Sequence, residues 1–308
     1  LSAESYLNIP RIISAAEISN ADAVHPGYGF LAENSRFAEI CESSGLVFIG
    51  PTARTIAQLG DKITAKQLMK DAGVPVIPGT EQGVSSREAG LETARKIGYP
   101  VIFKAAAGGG GRGMRIARNE TELTNAFASA RAEAESAFGN PSLYLERYFE
   151  SPRHIEVQVL GNGTGTVFCL GERECSIQHK HQKLVEESPS PAVSYDLRQK
   201  LLQAAQKGAE AVNYRSAGTM EFLLDSNGKF YFMEMNTRIQ VEHPVTEMIY
   251  NIDLVKEQLR LAFEGSLAPE LEKATPSGHA IECRINAEDP YNGFRPMAGE
   301  ISAFHQPG

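Results

Sequence analysis

The stretch TMEFLLDSNGKFYFMEMN, residues 219–236, constrains the fold most. Two β-rich runs flank Asn227-Gly228, the strongest short-range hairpin signal a sequence offers. A two-residue turn there sets Ser226 opposite Lys229, and the same register sets Glu221 opposite Glu234. Like charges opposed across strands destabilise a hairpin. At ~5 Å and an effective dielectric of ~20, the repulsion is about 3 kcal/mol. A divalent cation between the two acids reverses the sign, and their hard oxygens suit Mg²⁺ or Mn²⁺ bridging substrate phosphates. Asn236, two residues on and sharing the face, is a natural third ligand. Phe222, Leu223, Phe232 and Met233 imply burial nearby. The competing reading is a solvated strand face whose acids repel weakly.

The chain continues as EMNTRIQVEH. Read as extended, it places Glu234, Asn236, Arg238, Gln240 and Glu242 on one face, with Met235, Ile239 and Val241 on the other. Such a row fits a site that handles phosphates, a metal and a proton. A second cluster, IQHKHQKLVEE (177–187), reads as an extended segment with His179, His181 and Lys183 alternating. It serves either a transferring phosphoryl group or bicarbonate, or its basic groups pair internally with Glu186 and Glu187.

Residues 11–50 alternate helix, strand, helix, strand, a βαβ pattern with parallel strands and ligand-facing loops at their carboxyl ends. The loop HPGYGF (25–30) is placed either for ligand contact or as a packing turn. Two further helical pieces lead into VPVIPGT, a linker rich in Pro and Gly. From about 77 to 148 the pattern implies a smaller lobe: a helix closing on Gly98, a strand ending near Lys104, the loop AAAGGGGRGM, a strand, a long helix over 120–138, and another strand. Glycines expose successive backbone N–H groups to an anion. No GK[ST] closes this loop and a strand follows it, which excludes a Walker or Rossmann fingerprint. A flap over nucleotide phosphates and a plain linker both remain open. From His154 onward the chain is β-rich, with a helix capped by Ser194. A lone histidine at 154 is more often structural than functional.

The net charge of −8 argues against a nucleic-acid partner, and no apolar run is long enough to span a membrane. Four dispersed cysteines without a CxxC pair fit reduced thiols in a cytoplasmic protein. A cytoplasmic location is expected, with a mitochondrial or plastid one as the alternative. The ends, Leu1 and a stop soon after a strand-like ECRINAED, are expected to be those of a fragment that lacks material on both sides.

Taken together, HPGYGFLAEN, FIGP, GYPVIFKAAAGGGGRGMR, SPRHIEVQVLG, GERECSIQ, HQKLVEE, AGTMEFL, EMNTRIQVEHPVTE and ECRINAEDP resemble the biotin carboxylase family of the ATP-grasp superfamily, in family order across nearly the whole chain. The resemblance implies an α/β fold with an α+β central part. It divides into a partial βαβ (Rossmann-like) N-terminal domain at 1–56, an ATP-grasp domain at 57–276 with its lid lobe at 77–148, and a truncated C-terminal domain at 277–308. It implies ATP-dependent carboxylation of biotin by bicarbonate through carboxyphosphate, with ATP and Mg²⁺ or Mn²⁺, and biotin as a carrier-linked substrate. A biotin carboxyl carrier protein or domain, a carboxyltransferase and a homodimer follow as partners. Alternatives are a carbamoyl-phosphate-synthase-like ligase or a non-catalytic nucleotide-binding fragment.

Residue by residue, the resemblance sets Lys62, Lys104 and the loop Gly108, Gly109, Gly110, Gly111, Arg112 and Gly113 on ATP phosphates. Glu146, Arg147 and Phe149 form the adenine hinge. His154 lies near the ribose, and Gln178, His181 and Leu223 line the nucleotide pocket. Glu221, Glu234 and Asn236 hold the metal. Lys183, Arg238, Gln240 and Val241 position bicarbonate, Glu242 is the base, and Tyr28 and Arg284 lie near biotin. Two departures stand out: Arg147 where many members have Lys, and His179-Lys180 in place of a common Arg-Arg pair.

Overall fold

The computed structural model describes residues 1–305 apart from 81–82, 106–113 and 181. The chain opens with helix α1 (Ile9–Ile18), strand β1 (Ala23–Val24), helix α2 (Ser35–Ser43) and strand β2 (Val47–Phe48). Asn8 and Asn34 start the two helices by accepting hydrogen bonds from Arg11 N and Phe37 N. The strands pair in parallel, as the βαβ pattern requires, over a core that includes Leu31, Phe37, Phe48 and Ile56. Helices α3 (Ala53–Gly60) and α4 (Lys62–Asp71) follow; Asp61 ends one and caps the other.

A small lobe comprises α5 (Arg87–Ile97), β3 (Val101–Ala105), β4 (Arg115–Ala117), α6 (Glu120–Phe138) and β5 (Leu143–Arg147). Its strands lie in the order β4-β3-β5, all antiparallel, and Phe103, Leu123, Leu143 and Leu145 form its core.

The rest builds on β6 (Arg153–Asn162), β7 (Val167–His179), β8 (Gln182–Ser188), α7 (Tyr195–Ala211), β9 (Arg215–Leu224), β10 (Phe230–Asn236), α8 (His243–Tyr250), α9 (Leu254–Glu264) and β11 (Ala280–Cys283). A short pair, β12 (Glu288–Asp289) and β13 (Arg295–Pro296), lies beyond. Six strands form one sheet in the order β10-β9-β6-β7-β8-β11. Met69 of α4 and Leu201 of α7 pack with Tyr214, Met220 and Phe222 in its main core. A second core gathers Leu160, Leu170, Ile239 and Leu254. Ser194 caps α7 as expected, accepting from Leu197 N.

Three local expectations are corrected. The β9–β10 turn has three residues, not two: Asp225 N donates to Lys229 O, and Gly228 takes φ +76°, the left-handed conformation that closes such a loop. Pairs near the turn are therefore Phe230 with Leu224 and Phe232 with Phe222, yet Glu234 still faces Glu221. A bulge at Met233 supplies the missing residue. It also reverses side-chain parity, so that Phe232 enters the main core while Glu234, two residues on, joins the opposite face. Second, strand pairing ends at Asn236, and residues 237–242 form an irregular entry to α8 rather than a continued strand. Third, residues 177–180 and 182–187 are not one extended run: β7 and β8 pair antiparallel there, with His179 opposite Gln182.

The segment read as a linker ties the two sheets together. Phe232 N of β10 donates to Pro75 O, while Arg147 N of β5 donates to Pro78 O and Thr80 N to Leu145 O. The edges of both sheets thus converge on residues 75–80.

Candidate active site

A cavity of about 980 Å³ opens where the sheets converge, a size typical of ligand pockets. Lys62, Lys104, Glu146, Arg147, Phe149, His154, Gln178 and Leu223 all line it. So do Lys183, Glu221, Glu234, Asn236, Arg238, Gln240, Val241, Glu242 and Arg284. Val241 faces the cavity, not the opposite side with buried Met235 and Ile239, because the chain has left the strand by then. Tyr28 does not line it; its ring is exposed. Gly108 to Gly113, Arg112 among them, and His181 lie outside the described residues.

At one end β5 presents Glu146, whose carboxylate meets Lys66 at 3.0 Å and Lys104 at 2.8 Å. Burial alone would raise this acid, but the two lysines outweigh it and keep it charged. Gly79 lies against the same strand, where a Cβ would come to 2.3 Å from Leu145 O. Arg147 turns its guanidinium to Ile97 O, at the carboxyl end of α5. Phe149 stacks on Tyr231 with ring centroids 4.9 Å apart.

At the other end carboxylates share cations. Lys183 Nζ bonds to Glu156 and lies 3.0 Å from Glu221 and 2.6 Å from Glu242. Glu221 also accepts from Asn236 Nδ2 at 2.8 Å and Gln240 Nε2 at 3.0 Å, and His154 Nε2 lies 2.9 Å from it as an ion-pair partner. Its carboxyl is held well below the usual range: burial opposes this, and His154 and Lys183 prevail. Lys183 is raised for the converse reason, since burial would lower it and Glu156 and Glu221 outweigh that. Glu234 behaves oppositely to Glu221. Burial, then the neighbouring Glu221, pushes it up, and among the described residues its carboxylate receives no hydrogen bond.

Glu242, buried at the start of α8, lies between Lys183 and Arg284, the latter at 2.7 Å. Arg284 also meets Glu186 at 2.8 Å, and Glu187 meets His279. Among the described residues neither acid pairs inside its own basic cluster, against the alternative of internal pairing. Arg238 Nε meets Glu33 at 3.0 Å, and the same acid accepts from Thr237 N. Among the described residues the backbone N–H groups of Gln240 and Val241 have no acceptor. Two adjacent amides without an acceptor, with Lys183 and Arg238 lining the same cavity, are groups of the kind that bind a small anion.

Glu33, Lys66, Glu156 and Arg173 escaped the reading of the sequence. Two carried signals. Lys66 lies one helical turn from Lys62 on the same face. His154, Glu156 and Gln158 alternate in HIEVQ as the acids of β10 do, and Glu156 pairs directly with Glu221.

Comparison with known proteins agrees with this geometry. Residues 1–56 match the family "Biotin carboxylase, N-terminal domain", and residues 61–270 match "Carbamoyl-phosphate synthase L chain, ATP binding domain". A biotin carboxylase of Nostoc sp. is 57% identical over 307 residues, spanning 100% of this chain and 69% of that protein. The biotin carboxylase–ATP complex from Campylobacter jejuni superimposes with a TM-score of 0.93 at 52% identity, over 100% of this chain and 68% of the other. The biotin carboxylase domain dimer of Hydrogenobacter thermophilus 2-oxoglutarate carboxylase, in complex with MgADP and bicarbonate, gives a TM-score of 0.91 at 51% identity. That match covers 98% of this chain and 67% of the other. The chain thus spans about two thirds of the length of these relatives. With an ATP-grasp fold of mixed α/β type and identity of this order along its whole length, the chain belongs to the biotin carboxylase family, a family of ligases.

Proposed function

We propose that this chain catalyses ATP-dependent carboxylation of biotin on a carrier: ATP, bicarbonate and biotin give ADP, phosphate and carboxybiotin. The observation that carries this reading is Glu242, buried between Lys183 and Arg284 beside the free amides of Gln240 and Val241. A base, two cations and an anion receptacle meet there.

The residues present fit a hard divalent cation: Glu221 and Glu234 oppose each other, and Glu234 lacks a donor among the described residues. These two acids would hold Mg²⁺ or Mn²⁺, with Asn236 beside them. Bound there, the cation neutralises charge on phosphate oxygens. Lys62 and Lys104 would do the same for the phosphates, and Glu146, Arg147, Phe149, His154, Gln178 and Leu223 would enclose the nucleoside.

Lys183, Arg238 and the amides of Gln240 and Val241 hold bicarbonate in line with the γ-phosphorus. Glu242 removes its proton as the oxygen attacks, giving carboxyphosphate. That species breaks to CO₂ and phosphate, the phosphate takes the ureido proton of biotin, and Arg238 stabilises the resulting enolate. Tyr28 and Arg284 would contact biotin from the rim. On this reading residues 1–56, 57–276 and 277–308 correspond to N-terminal, ATP-grasp and C-terminal domains. A biotinyl carrier, a carboxyltransferase, a homodimer and a cytoplasmic location complete the proposal; a relative described as a domain dimer supports the homodimer.

The test is ADP release by the chain with Mg²⁺, bicarbonate and free biotin, omitting each in turn. Dependence on both bicarbonate and biotin is expected. Release that requires ammonia instead would point to a carbamoyl-phosphate-type ligase and sink the reading.

A further inference from the structure

Arg173 of β7 is the largest fully buried side chain among the described residues. Its guanidinium donates to Glu156 Oε1 and Gln158 Oε1 at 2.6 Å, to Thr219 Oγ1 and Thr246 Oγ1 at 3.0 Å, and to Gln240 Oε1 at 3.3 Å. Those acceptors come from β6, β9, α8 and the irregular entry to α8. Arg173 does not line the cavity, and the chemistry above gives it no part.

We propose that Arg173 is a positioning residue for bicarbonate, acting at the junction of the two arms that grip the anion; this rests on the function proposed above. The first arm runs through Glu156, which gives one oxygen to Arg173 and the other to Lys183. The second runs through Gln240. Because Arg173 occupies its Oε1, the Gln240 amide must turn Nε2 towards Glu221. The flipped amide would set two N–H groups against a cation. Fixing the side chain fixes the backbone of Gln240 and Val241, whose amides face the anion. Thr246 braces the guanidinium from α8, the helix that Glu242 begins. A planar fork with five donors in fixed directions can satisfy this set of acceptors, and the single ammonium of lysine cannot. The nucleotide end is separate: none of Lys62, Lys104 or Glu146 touches Arg173.

The experiment uses the full chain, with bicarbonate titrated in the ATP-cleavage assay and an ATP analogue with Mg²⁺ titrated separately. Arg173→Lys should raise KM for bicarbonate about ten- to hundredfold, the penalty for misplacing a reacting group by ~1 Å. Analogue Kd should stay within about twofold. Thr246→Val, which removes one brace, should raise the same KM about threefold, as expected for one hydrogen bond. A bicarbonate KM unchanged in both variants overturns the proposal, and so does a parallel rise in KM and analogue Kd, the mark of a merely structural role. Should Arg173→Lys fail to fold, Thr246→Val decides alone by the same criteria. The wild type run alongside separates the two claims: without bicarbonate-dependent cleavage in it, the proposed function itself fails.

Discussion

Glu242 has both oxygens engaged, one by Lys183 and one by Arg284. Removing its charge while keeping its shape isolates the proton-transfer role. Glu242→Gln should abolish bicarbonate-dependent ATP cleavage and leave ATP-analogue affinity within about twofold, since the nucleotide end is spared. Turnover near the wild-type value would remove Glu242 as the base. Glu186, another acid on Arg284, allows a test through pH. Burial, with Glu242 and Glu282 nearby, lifts it to about 7 from an ordinary 4.5 despite Arg284. Between those values the folded chain keeps a proton that the unfolded chain has released, so this acid's contribution to stability is lost as pH rises through the window. Glutamine cannot titrate. The Tm of Glu186→Gln minus that of wild type should therefore climb over this interval and level off above it; a flat or falling difference would mean that Glu186 is ionised throughout. Glu234, Asn236, Arg238, Gln240 and Glu242 were legible as chemistry because their polar types recur at every second position, whereas Lys62, Glu146 and Gln178 were reached only through the family resemblance. Arg173 and Glu156 were not legible, because a fully buried ion pair leaves the same letters in a sequence as a solvated one.

At the scale of elements, helices and their caps were the most readable features. Ser194 announced its helix by local chemistry alone, and Asn119 and Asp253 cap theirs in the same way. The β9–β10 hairpin was half readable. Its acid pair came out right because two departures cancelled, a longer turn and the bulge at Met233. Neither leaves a local signature, since both depend on what the strand packs against. The residues after Asn236 kept their common direction without the strand that was expected to impose it. Residues 75–80, read as a linker, form the joint between the sheets, a tertiary role that Pro and Gly content does not reveal. Gly79→Ala should therefore cost more than a loop substitution. Its methyl meets backbone at 2.3 Å and can be relieved only by moving β5. A loss of about 1–3 kcal/mol in urea unfolding is expected from such overpacking, with weaker analogue binding because Glu146 moves too. An unchanged midpoint would show that the joint yields freely.

For the whole molecule, the cavity borrows walls from both sheets, so a ligand filling it should tie them together. An ATP analogue with Mg²⁺ at 100 times its Kd should stabilise the fold by about 2.7 kcal/mol. Chelating the metal should remove most of that gain if Glu221 and Glu234 act through it. A thermal shift indifferent to EDTA would place the nucleotide elsewhere. The parallel pairing near the N-terminus was legible as a βαβ unit, whereas the six-strand order, with β6 and β9 side by side, was not: such pairing links positions some 60 residues apart. Met233 has a consequence at this scale. The oily and the charged sides of β10 trade places at that one extra position. Losing its codon would leave a plain alternating strand with the acid still opposite Glu221, whereas straightening the strand with that residue kept would aim the acid into the hydrocarbon interior and erase core and reaction centre in one stroke.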